Sequence, residues 1–368
     1  MLARSERTST AGLMLSAVAY QCEGDVLRAD AMLRRAAESA AAEERPYVVD
    51  LLAPLLISRG LFTRAASVLG TTDSQTLKIA REALQAVIDA ANGAIHLSEE
   101  RVATVRDALL RLDDDVLRLR LRQRLALAAY YRSDAVEALE QAVEGVRLAR
   151  LLGTHRFACY LHAVAYATHY TWSGDFDAAW RSALAMGEEA HLGGDVSHAA
   201  IARVAQYELA TERADDARVI AARAALDSNP LPEQYRERFA AGIADVLRLG
   251  WAGEFATCRN VLTVLKDMTG RTDGERALCR ALLALTSAAL SDDDAARRFS
   301  RQAISNSARP EKKIVAHELR YRRLARALAS VAGDFIGDVV RGSRAGEARF
   351  LRADPGVASL LRLRGGAS

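Results

Sequence analysis

Apolar positions recur three and four residues apart along most of the chain, the spacing that gathers them on one stripe of an α-helix. Residues 157–172 and 176–190 show it plainly, with the turn Ser173-Gly174-Asp175 between them. Alternation of period two, the mark of a half-buried strand, has no convincing instance, so no sheet is expected. Turn-like residues punctuate the helical pattern at Gly24, Gly60, Ser98, Ser133, Gly174, Glu212, Gly253 and Ser291, about 35 to 41 residues apart. Five residues after each stands Ala29, Ala65, Ala103, Ala138, Ala179, Ala217, Cys258 and Ala296. Seven before each stands Ala17, Ala53, Ala91, Ala126, Ala167, Ala205, Val246 and Ala284. Two antiparallel helices joined by a tight turn cross beside it, and small side chains let their axes approach. Gly, Ser or Asp in the turn supply a permissive backbone and a cap for the second helix. The expectation is an all-α chain of about eight antiparallel helix pairs spanning 1–308. A ninth turn at Gly333-Asp334-Phe335 has Arg326 and Asp338 where small residues stood, and reads as a basic capping pair over 309–340. Residues 341–368 read as a basic, partly flexible tail.

Composition agrees with helices around a real core. Half the residues are apolar, 26% are charged and only six are Pro. The four cysteines, Cys22, Cys159, Cys258 and Cys279, form no CxxC pair and read as buried reduced thiols, which suits a cytoplasmic protein. Asp50 and Pro54 interrupt the best apolar run, so no membrane span is expected. The apolar segment 11–20 after Arg4 and Arg7 could mimic a secretion signal but reads better as the first helix.

Charge changes the picture at one end. From Arg297 onward sixteen Lys and Arg face six Asp and Glu, a net of +10; with +3 overall, the remainder carries 3 − 10 = −7. Lys312, Lys313, Arg320, Arg322, Arg323 and Arg326 crowd one predicted helix. Such a patch suits nucleic acid or an acidic surface, or is a solvated cap. Tyr321, Phe335 and Phe350 are too few for base-by-base stacking on RNA.

Catalytic signatures are absent: no phosphate-cradling glycine loop, no HExxH and no GxSxG. No enzyme, cofactor or metal is therefore expected. The one local constellation is His155, His162 and His169, seven apart on one helix face, with Cys159 and Tyr166 between them. Seven residues span about 10 Å of helix, too far for three imidazoles to share one ion. Packing with solvated or hydrogen-bonded tips is the favoured reading, against a ligand or metal stripe.

The arrangement of small residue, turn and alanine, with Tyr20 and Tyr170 four before Gly24 and Gly174, resembles the tetratricopeptide repeat. Its long period is similar to the helical sensor region of MalT-like bacterial regulators. The resemblance implies a right-handed α-solenoid that binds a partner and does not catalyse. It also implies a concave groove lined by the first helix of each pair. That register selects Arg120, Gln123, Arg124, Tyr130, Tyr131, Thr168, Trp172, Arg203 and Gln206. Guanidinium forks beside aromatic faces suit an acidic or carboxylate-bearing protein or peptide. The expected function is a non-catalytic, partner-binding scaffold of a kind that suits regulation. The alternative is a nucleic-acid-associated transcriptional regulator acting through the basic C-terminal region.

Overall fold

The structure, a computed structural model, describes residues 9–69, 75–213, 215–229, 231, 237–267 and 273–307. The expected capping pair and tail, and with them the basic patch Lys312, Lys313, Arg320, Arg322, Arg323 and Arg326, lie outside the described residues. Sixteen α-helices occur among the described residues, and no strand does. The fold is all-α. In chain order the helices are α1 (Thr10–Cys22), α2 (Val26–Ser39), α3 (Arg45–Ser58), α4 (Phe62–Val68), α5 (Gln75–Ala91), α6 (Ile95–Leu109), α7 (Asp115–Tyr131) and α8 (Ala135–Leu151). They continue with α9 (His155–Thr168), α10 (Phe176–Leu192), α11 (Val196–Glu212), α12 (Asp216–Ser228), α13 (Glu237–Trp251), α14 (Phe255–Asp267), α15 (Asp273–Ala289) and α16 (Asp293–Ser307).

One local device builds most hairpins. The backbone turns left-handed at Gly24, Ser133 and Ser291, and the next residue's N–H returns to a carbonyl five positions back: Asp25 to Tyr20 at 2.8 Å, Asp134 to Ala129 at 3.0 Å, Asp292 to Ser287 at 2.9 Å. That same aspartate then caps the second helix, as Asp25 does by accepting from the Arg28 N–H at 3.0 Å and Asp134 from Glu137 at 3.0 Å. Turn and cap are thus one dipeptide. At Gly24, Gly60, Ser133, Gly174, Gly253 and Ser291 the flanking small residues are all buried, from Ala17 and Ala29 at 0% exposure to Ala284 and Ala296 at 0%.

Two of the eight expected turns fall elsewhere. Ser98 lies inside α6; the left-handed residue is Gly93, at φ 82°. Ser98 stands five residues after that glycine, is fully buried, and its hydroxyl donates to the Ala86 carbonyl, seven before the glycine, at 2.8 Å. Cys258 repeats the contact around Gly253, its thiol donating to the Val246 carbonyl at 3.4 Å. The true close-approach pair is therefore Ala86 and Ser98, and Ala103 is exposed. Likewise Glu212 is the buried last residue of α11, and the cap follows at Asp215, leaving Ala217 exposed.

The described residues divide into two compact units, 9–202 and 203–307. In the first, each helix from α1 to α9 packs on its successor, and α1, α3, α5, α7 and α9 also pack in a row, each on the next. Leu33, Leu56, Phe62, Ile88, Leu121 and Leu125 form the centre of its core. The second unit has its own core between α13, α14 and α15, around Leu247, Leu262, Leu278 and Leu282.

Candidate functional site

Arginine occupies alternate positions early in α7: Arg118, Arg120, Arg122 and Arg124. On a helix, Arg120 and Arg124 share one face and Arg118 and Arg122 another. The first pair converges on Asp50 of α3. Arg120 Nη1 donates to Asp50 Oδ2 at 2.7 Å, and Arg124 Nη2 donates to Oδ1. Arg124 also donates to the Ala80 carbonyl of α5 at 2.9 Å. Two expected groove arginines therefore already hold a carboxylate, supplied by this chain. The Arg124 and Asp50 side chains are only 6% and 9% exposed, so the pair ties α7 past α5 to α3; Arg120 remains 38% exposed. Pro54 follows four residues after Asp50, inside α3, and leaves the Asp50 carbonyl without its helical donor.

The C-terminal ends of α7 and α9 carry the aromatic part of the expected site. Trp172 Nε1 donates to the Tyr130 carbonyl at 3.1 Å, and the two rings meet edge to face at 6.3 Å. Tyr131 lies between Tyr130 at 5.5 Å and Phe62 of α4 at 5.7 Å. Trp172 stands there because α9 runs on into a π-turn, His169–Ser173, before the left-handed Gly174; the Asp175 N–H reaches back six positions, to the His169 carbonyl. Tyr130 is 5% exposed, and neither its hydroxyl nor that of Thr171 meets a partner at hydrogen-bonding geometry. Burial pushes the Tyr130 phenol far above its ordinary range. Gln123, Tyr131 and Trp172 are half-buried. Thr168 is fully buried, its hydroxyl returned to the Val164 carbonyl at 2.8 Å. Seven of the nine expected residues thus belong to the first unit. Arg203 and Gln206, both half-buried on α11, belong to the second.

The histidines of α9 do separate jobs. His155 shares a 2.8 Å hydrogen bond with the Glu189 carboxylate, which also accepts from Arg150 Nε at 2.6 Å. His162 Nε2 and His169 Nδ1 are buried without hydrogen-bond partners, and burial holds both imidazoles below the ordinary histidine range. Cys159 donates to the Met186 carbonyl, and burial pushes its thiol up to about 12, far from a reactive thiolate. Cys159, Cys258 and Cys279 are buried, whereas Cys22 is half-buried. Among the described residues no three His, Cys, Asp or Glu side chains stand where one metal ion could be held, and no helix is long and apolar enough to cross a membrane.

Sequence reasoning overlooked Asp50 as a partner and the cluster around Arg156. Arg156 of α9 donates to Gln21 Oε1 and, at 3.4 Å, to the Val18 carbonyl of α1. It also stands 3.9 Å from Asp195, whose carboxylate caps α11 and shares a 2.8 Å hydrogen bond with buried His198. One signal existed for Asp50: a lone carboxylate in the otherwise apolar run 48–57 of a helix needs a cation. Comparison of the chain with protein-family models and with curated proteins finds no match.

Proposed function

We propose that this chain is a non-catalytic, partner-binding scaffold built of tetratricopeptide-like helix pairs wound as a right-handed solenoid. Its partner is a protein or peptide bearing acidic or carboxylate groups. One observation carries the reading. The half-buried Arg120, Gln123, Tyr131 and Trp172 lie on the row of first helices and the π-turn that continues it, offering a guanidinium, an amide and two aromatic rings. Such anchors suit recognition more than chemistry. The crowding of α1, α3, α5, α7 and α9 on one another supports a bend toward that row, and hence a groove on that side. Because Arg124, Tyr130 and Thr168 are buried, the binding role rests on Arg120, Gln123, Tyr131 and Trp172.

The test is capture from native lysate on the immobilised full chain, with quantitative mass spectrometry. A Gln123→Ala, Trp172→Ala double variant should lose the proteins that the parent retains. Equal retention by both, or turnover of a small molecule by the purified chain, would end the reading. The net +10 from Arg297 onward supports a second reading, a nucleic-acid-associated regulator. That reading requires DNA affinity that falls steeply with salt, and it fails if the chain does not bind DNA.

A further inference from the structure

The other two arginines of α7 are less well matched. Arg118 donates to Asp115 Oδ1 on its own helix at 3.0 Å. Arg122 donates to the neutral amide oxygen Gln141 Oε1 of α8 at 3.0 Å. Arg147 of α8 grips Glu144 through two bonds, of 3.0 and 2.6 Å. The guanidinium Nε–H groups of both Arg118 and Arg122 are buried with no acceptor. Each carboxylate of the cluster is therefore already engaged with another arginine, and Arg122 has none of its own. Three cations face two carboxylates, an excess of one positive charge. Arg120 and Arg124 show the contrast on the opposite face, with Asp50 between them. Burial, with Arg118 and Arg147 adding to it, holds the Arg122 guanidinium below the ordinary arginine range, and Glu144 offsets this only in part. A half-buried guanidinium held by an amide alone has forgone its strongest partner, since a carboxylate accepts about twice as strongly as a neutral oxygen.

We propose that Arg122, flanked by Arg118 and Arg147 on the α7–α8 face, receives an Asp or Glu carboxylate of the partner peptide. The inference rests on the scaffold reading and assigns that partner an anion contact of its own, on the face of α7 opposite Arg120. One carboxylate balances the cluster's charge. Planar guanidinium forks suit its two oxygens. Arg147 is 59% exposed and Arg118 36%, so an extended acidic segment can approach from solvent.

The experiment uses the full chain and a fluorescent Glu-Gly repeat peptide carrying a photo-crosslinker, with its Gln-Gly twin as control, at about 150 mM salt. The Glu peptide should bind and the twin should not, with crosslinks falling within α7 and α8. Arg122→Gln and Arg147→Gln should each weaken binding about tenfold, whereas Arg111→Gln, an exposed arginine outside the cluster, should not. Circular dichroism checks that each variant folds, and Arg147, being exposed, keeps the test alive if Arg122→Gln does not. Binding by both variants within about twofold of the parent, or crosslinks confined elsewhere, overturns the inference. The scaffold reading then still stands or falls on lysate capture. No binding of the Glu peptide at all overturns the inference, and partner capture without it would show a scaffold that does not read carboxylates.

Discussion

Asp50 and Arg124 show what a single buried charge commits a fold to. Neither could be buried alone, and together they let an aspartate sit in the apolar middle of α3. Asp50→Asn should therefore destabilise the chain by about 3–5 kcal/mol, the usual result of stranding one buried ion. Adding Arg124→Leu should recover much of that loss; urea midpoints of the two variants measure both effects. A recovery of nothing would mean that Arg124 works chiefly through the Ala80 carbonyl. Ser98 gives a smaller case. Ser98→Ala removes the hydrogen bond that stitches α6 to α5 and should cost about 1 kcal/mol. At Gly93 a Cβ would meet nothing within 4 Å, so Gly93→Ala should cost about 1–2 kcal/mol through its left-handed backbone alone. If Gly93→Ala were neutral by the same urea assay, Gly93 would not be the turn.

At the scale of elements, α9 makes stability depend on pH. His162 faces Arg150 and Glu189, and His169 faces Asp175 and Arg181; burial lowers both imidazoles' affinity for protons. In the unfolded chain a histidine titrates near about 6.5, so below that pH the unfolded state takes up protons that the folded state refuses. The stabilisation is complete above the unfolded value and is lost as pH falls through the folded one. A second loss should follow further into acid. There the carboxyls of Asp30, Glu144, Asp175, Glu189 and Asp195, each held below its ordinary range, become protonated in the unfolded state first. Urea unfolding between pH 8 and 5 should show the first slope, and His162→Gln should flatten it. An unchanged slope in that variant would assign the effect elsewhere. The same helix ends in the π-turn that carries Trp172, so α9 joins a pH-sensitive body to the tip proposed for recognition.

For the first unit as a whole, one arginine joins parts far apart in sequence. Arg156 links α9 to α1 across 135 positions, donating to Gln21 Oε1 and to the Val18 carbonyl. Arg156→Met should loosen α1: a lost hydrogen bond to a charged donor is worth about 1.5–3 kcal/mol, or at least tenfold in local opening. Hydrogen exchange of α1 amides reads this directly. Unchanged protection would show that α1 is held by its packing on α2 and α3 instead.

Helical periodicity, the turn-plus-cap dipeptides Gly24-Asp25, Ser133-Asp134 and Ser291-Asp292, and the alanines that flank them were enough to establish an all-α chain of paired helices. These signals are local: spacing along a helix and turn chemistry act over a few residues. Register was already harder, because an alanine-rich helix offers several small residues near each bend. Ala86 with Ser98 and Ala91 with Ala103 both satisfy the spacing, and only the packing of α5 on α6 chose between them. The candidate site depended still more on tertiary structure. Periodicity puts Arg120 and Arg124 on one face of α7, but it cannot say that Asp50, 70 and 74 positions away, will cover that face and leave Arg122 short of a counter-ion on the other. Which charges are satisfied depends on distances through space, and those are settled only when distant helices pack.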